Sequence, residues 1–142
     1  MDQNQHCIIV LGMHRSGTSV LSGCLHLLGA DLGKNLMPAN EANPSGFFEN
    51  HDLMLIHDIL LRDLGCRWDM VGNLPQDWLQ TDAARQAREK IERVIERDFS
   101  DSQLWAVKDP RLCRLLPLWL DLFQDKGIDP RFVIMARHPY EV

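Results

Sequence analysis

The chain has little of what marks a metal protein, a membrane protein or a nucleic-acid binder. Its cysteines, Cys7, Cys24, Cys66 and Cys113, stand far apart, with no CxxC pair and no histidine at zinc-ligand spacing. Neither a disulfide framework nor a metal site is therefore expected, and all of them read as ordinary thiols. Long apolar runs are missing as well. The run nearest the N-terminus, Cys7 to Leu11, follows no basic segment and falls far short of the roughly 20 residues a membrane span needs. That predicts a cytoplasmic protein with no membrane partner. A surplus of positive charge is lacking too: the formal charge is −5, which argues against a nucleic-acid partner and requires any anion site to be local. Internal repeats and low-complexity tracts are absent.

What is present describes a single globular domain over residues 1–142, with 45% apolar and 25% charged residues. His6 to Leu11 is a short, unbroken, β-branched run, the pattern of a strand buried on both faces. A glycine-bounded loop follows, and then Val20, Leu21, Cys24, Leu25 and Leu28 recur at helical spacing up to a stop at Gly29. Residues 30–48, rich in Gly, Pro and Asn, form a loop long enough to act as a lid. Leu53, Ile56, Ile59, Leu60 and Leu64 mark a helix. A second helix is expected over about Asp82 to Phe99, with irregular chain between Trp68 and Trp78. Leu104 to Val107 reads as another strand, ended by Lys108-Asp109-Pro110-Arg111 because Pro110 cannot continue a ladder. Leu112 to about Gln124 is a strongly apolar helical stretch, with Pro117 either kinking it or starting a second helix. Arg131 to Ala136 supplies a third strand.

Strands separated by helices imply right-handed crossovers and a parallel sheet, so the expected class is α/β, a three-layer sandwich. Ligands then sit beyond the carboxyl ends of the strands. Those ends carry Gly12 to Ser19, Lys108 to Arg111, and Arg137-His138. The chain stops at Val142, where a further helix is expected, so the domain reads as incomplete, with an apolar edge that favours self-association.

Gly12-Met13-His14-Arg15-Ser16-Gly17-Thr18-Ser19 has the glycines and terminal hydroxyl of the nucleotide loop G-x-x-x-x-G-K-[ST], with Thr18 in the lysine's place. The glycines let backbone N–H groups turn inward around an anion, and the next helix presents its positive end to the same point. Losing the lysine removes the charge that bridges β- and γ-phosphates, which argues against ordinary ATP hydrolysis, while Arg15 supplies a different cation. Side-chain donors from Ser16, Thr18 and Ser19 add to the loop, and His14 is placed to touch a ligand.

The core Arg15-Ser16-Gly17-Thr18-Ser19 after a hydrophobic strand resembles the 5′-phosphosulfate loop of sulfotransferases. Val107 to Leu112 and Phe132 to Pro139 resemble blocks of bacterial sulfotransferase-like proteins. The resemblance implies a P-loop-type fold and 3′-phosphoadenosine 5′-phosphosulfate as sulfuryl donor, with no metal. The implied acceptor is a hydroxyl or amine of unknown class. It assigns Arg137 to the 3′-phosphate, together with a serine that would lie beyond Val142. The histidine that cytosolic members carry two residues past the lysine is replaced here by Pro110. Glu49, at the end of the lid, takes the role of general base by analogy with glutamates in related enzymes, with His51 and Asp109 as weaker candidates. Lys108 and Arg15 neutralise the leaving phosphate. Other readings are a non-catalytic nucleotide-binding fragment and an ATP-using phosphotransferase with Asp109 as a Mg²⁺ ligand.

Overall fold

A computed structural model describes residues 5–41 and 43–141. Strand β1 (His6–Gly12) forms the middle of a parallel three-stranded sheet, flanked by β2 (Leu104–Lys108) and β3 (Asp129–Met135). Parallel neighbours require long crossovers. Between β1 and β2 run α1 (Thr18–Leu27), α2 (His51–Asp63), a 3₁₀ turn at Trp78–Gln80 and α3 (Asp82–Phe99). Between β2 and β3 runs α4 (Leu112–Lys126), and a 3₁₀ turn at Pro139–Glu141 follows β3. Val10 lies opposite Lys108, and Gly12 opposite Met135. The carboxyl ends of all three strands therefore open onto one edge, as α/β sheets that bind ligands require.

Alternation along the strands sends side chains to two layers. Cys7, Ile9, Trp105 and Val107 pack with α2, α3 and α4 in the main core, where Phe99 stacks on Trp105 at 4.4 Å. Ile8 and Ala106 face the other way, against Leu25, Ala30 and Leu32. The class is thus α/β with helices on both faces of a parallel sheet.

Some expectations need correction. Pro117 lies inside one continuous helix and neither splits it nor starts another. Proline costs about 3 kcal/mol in a helix interior, but Leu115, Leu118, Trp119, Leu122 and Phe123 are all buried at roughly 1.5–3 kcal/mol each for a large apolar side chain. Burial wins. β3 begins at Asp129, two residues early, and admits Pro130 because it is an edge strand of the sheet. The chain from Trp68 to Asp77 is irregular as expected, and a short 3₁₀ turn at Trp78–Gln80 follows it.

The largest difference is in α1, most of whose apolar stripe is turned from the sheet, Leu25 alone packing on the strands' second layer. Thr18 and Ser22 are buried, while Val20, Leu27 and Leu28 are 72%, 87% and 81% exposed. The loop before α1 sets this orientation by holding Thr18 against the strand. The close approach then needs small residues: a Cβ on Gly23 would lie 3.1 Å from the Phe48 ring.

Candidate functional site

The site is built from the turn after β1. Gly12 leaves the strand where a Cβ would meet the Met135 carbonyl at 2.8 Å, the Thr18 methyl at 2.8 Å and the Ser16 hydroxyl at 2.9 Å. Overpacked positions of this kind cost ~1–3 kcal/mol, so Gly12→Ala is expected to lower stability by that amount, checked by urea unfolding. Gly17 has φ 98° and caps α1. Arg15 adopts φ 63°, a left-handed conformation that side chains other than Gly and Asn take at a cost. Left-handed residues set among ordinary ones turn backbone N–H groups inward as a nest for an anion. The Ser16 amide and hydroxyl both donate to the Met13 carbonyl, at 3.2 and 2.6 Å, and close the turn.

A cleft of about 490 Å³ opens beside this loop, within the usual size range of small-molecule sites. His14, Arg15, Gly17, Thr18, Ser19, Glu49, Lys108 and Arg137 all line it. Ser16 does not: its side chain is buried and spent on the turn. Val20, Asn43, Phe47 and Pro110 complete the wall.

Lys108 ends β2 and is 5% exposed, so it is no freely solvated lysine. Its ammonium donates to Glu49 Oε1 at 2.5 Å, to Ser19 Oγ at 3.2 Å and to the Phe47 carbonyl at 3.2 Å. One cation thereby joins the first turn of α1, the Phe47 carbonyl and Glu49. Desolvation makes such a buried pair weak evidence for stability, and perturbed buried pairs in a cleft are a mark of functional sites. Burial raises the Glu49 carboxyl above the ordinary glutamate range; the Lys108 charge pulls it down and the Asp109 charge adds to the rise.

Glu49 is held from both sides in sequence. The Met37 amide donates to its carbonyl at 2.8 Å and the His51 amide to the Asn35 carbonyl at 2.7 Å, so the lid pairs with the chain entering α2. Asn50 caps α2 through the amides of Asp52 and Leu53, and its own amide reaches Asp98 Oδ2 at 2.9 Å. Glu49 therefore stands ahead of the cap, and the acid of the helix's first turn is Asp52.

Arg137 approaches from β3 and donates to the Arg15 carbonyl at 3.2 Å. His14 is shifted down from the ordinary histidine range, by burial first and then by the Arg111 charge. Its ring lies 4.8 Å from that of Trp68.

Asp109 is buried and engaged with protein partners rather than turned into the cleft. It is 2% exposed, its Oδ2 contacts His57 Nδ1 at 2.7 Å, and its Oδ1 accepts from the Arg111 amide and guanidinium, each at 2.9 Å. Burial would raise it, but the His57 and Arg111 interactions outweigh that and bring it down to about 2. Trp119 Nε1–H donates to His57 Nε2 at 3.0 Å, so the imidazole proton sits on Nδ1 and points at Asp109. His51 does not line the cleft. Arg111 and Arg114 are three residues apart; Arg111 pairs with Asp58 and Asp109, while Arg114 binds backbone carbonyls. Among the described residues, no three His, Cys, Asp or Glu side chains gather as a metal-holding group.

Sequence reasoning missed the Phe47 carbonyl and the His57–Trp119 pair. Only Phe47-Phe48 between a glycine and an acid, in an otherwise polar loop, hinted at the first. No family model matches this chain, and no curated protein or solved structure matches it either.

Proposed function

We propose that this chain is a sulfotransferase of P-loop-type topology. In this reading it moves a sulfuryl group from 3′-phosphoadenosine 5′-phosphosulfate to a hydroxyl or amine. The observation that carries the reading is the contact of Lys108 with both Glu49 and Ser19 beside a nest-forming loop that bears Arg15. The cations suit a phosphosulfate and a second phosphate: Lys108, Arg15 and Arg137 all line the cleft, and Arg137 touches the Arg15 carbonyl.

Glu49 would take the acceptor's proton as the acceptor oxygen or nitrogen bonds to sulfur, and the bond from sulfur to the leaving phosphate oxygen breaks. Arg15, Lys108 and the loop N–H groups hold the charge arriving on that phosphate. A base with a raised pKa is matched to this task near neutral pH. Among the described residues no helix is long and apolar enough to cross a membrane, which is compatible with the cytoplasmic location proposed alongside.

The test is calorimetric titration with 3′-phosphoadenosine 5′-phosphate, with Mg-ATP as comparator. The bisphosphate is expected to bind, and Arg15→Ala to weaken it by roughly 10-fold or more, the loss typical of a hydrogen bond to a charged group. Preference for Mg-ATP would point instead to a phosphotransferase. Failure of both ligands to bind would leave a non-catalytic fragment.

A further inference from the structure

Two groups that a bound anion needs are already engaged by a backbone oxygen of the lid. A lysine ammonium has three N–H donors, and the contacts of Lys108 with Glu49, Ser19 and the Phe47 carbonyl use all of them. Ser19 Oγ donates to the same carbonyl at 3.4 Å. Lys108, Ser19 and Phe47 all line the cleft. A partly negative oxygen therefore sits on the cleft wall and holds two donors suited to phosphate or sulfate.

The backbone at the next residue is strained. Phe48 has φ 55°, a left-handed conformation that is unfavourable for a residue with a Cβ. Its φ, together with ψ of Phe47, sets the plane of the peptide between them. The strain and the direction of the Phe47 carbonyl are thus one feature, kept in place by Lys108 and Ser19.

The chain on either side of this peptide is anchored. Asn43 Nδ2 donates to the Gly46 carbonyl at 2.6 Å, and the Met37 amide donates to the Glu49 carbonyl at 2.8 Å. The Phe48 ring rests on Gly23 and packs with Ala30, Leu32 and Ala106. Rotation of the single peptide plane by about half a turn leaves these contacts in place and brings φ of Phe48 into the extended region open to any residue. It also exchanges the groups on the wall: the carbonyl turns away from Lys108, and the Phe48 N–H takes its position. An oxyanion repels the first group and binds the second.

We propose that the Phe47–Phe48 peptide is an anion-operated switch, flipping from carbonyl-in to N–H-in when the donor's phosphate and sulfo oxygens draw on Lys108 and Ser19. This rests on the reading of the cleft as a phosphosulfate site. The Glu49 contact, at 2.5 Å, is the shortest that Lys108 makes, so the flip frees one Lys108 N–H for the donor while the acid stays where it is. It adds a backbone donor to the anion's shell and relieves the Phe48 strain, which makes the bound form the relaxed one.

The test compares Phe48→Gly with Phe48→Ala by calorimetric titration with 3′-phosphoadenosine 5′-phosphate. Both variants lose the ring, but only glycine adopts φ 55° without strain. Removing that strain favours the carbonyl-in form. The glycine variant is therefore expected to bind the bisphosphate roughly 5-fold or more weakly than the alanine variant, the equivalent of the left-handed penalty. Wild type gives a second measurement, the three-bond coupling between the Phe48 amide proton and its Hα, which depends on φ. On saturation of isotope-labelled protein with the bisphosphate it is expected to move from the left-handed to the extended value. Equal affinities in the two variants, or a coupling unchanged at saturation, would overturn the switch and leave the donor site standing. If the bisphosphate does not bind wild type, no donor anion operates the peptide, and the switch falls together with the sulfuryl-transfer reading.

Discussion

Glu49→Gln is expected to cut turnover by roughly 10²- to 10⁴-fold, the usual contribution of a positioned general base, while leaving bisphosphate affinity close to wild type. The substitution keeps an oxygen where Lys108 Nζ now donates at 2.5 Å and removes only the capacity to take a proton. The readout is sulfate release from the donor in water. A pH profile separates chemistry from packing. Because burial raises Glu49 above the ordinary range, the base form accumulates only as pH climbs past that raised value, so wild-type rate should rise with pH along a displaced limb. In Glu49→Gln the residual rate should lose that limb. An unchanged limb, or turnover within a few-fold of wild type, would remove Glu49 from the chemistry.

Much of this site was legible before any coordinates because its parts sit at predictable places in an α/β sheet. A β-branched run followed by Gly12 and Gly17 fixes a strand, a tight turn and a helix start. An apolar run ended by Lys108-Asp109-Pro110 puts charge at the carboxyl end of a second strand. Parallel order then brings those ends together, and Val10 does face Lys108. What was hidden depends on partners distant in sequence. α1 carries an apolar stripe at helical spacing, yet the loop's closure turns Thr18 and Ser22 inward, and periodicity contains nothing about that constraint. His57 shares a face with Leu53 and Leu60, and nothing near it in sequence indicates that Asp109 and Trp119 take its two nitrogens. Glu49 was reached through its place after the lid. Its geometry depends instead on Asn50 meeting Asp98 in α3, a contact 48 residues away in the chain.

Asp109 shows how the buried network carries the site without touching ligand. Asp109→Ala is expected to destabilise the chain by about 3–5 kcal/mol, the cost of breaking a buried charge pair and leaving its partner behind. The variant strands His57, 0% exposed, and takes two hydrogen bonds from Arg111. Asp109→Asn should also be costly, because its single oxygen can accept from Arg111 or from the His57 N–H but not from both, and its amide N–H group then faces the other donor. Equilibrium urea unfolding measures both. The pH dependence follows from a carboxyl at about 2 in the fold against about 3.9 in an unfolded chain. Its stabilisation is fully present above the unfolded value and lost as pH falls through the folded one. Wild type should therefore lose about 2–3 kcal/mol between about pH 4 and pH 2 through this group, and Asp109→Ala should lack that share of the acid transition. Asp109 directly follows Lys108 and bonds the Arg111 amide, so it also fixes the turn that aims Lys108 into the cleft. The alanine variant should then lose bisphosphate affinity as well as stability, whereas a purely structural Asp109 would leave the affinity of the folded fraction unchanged.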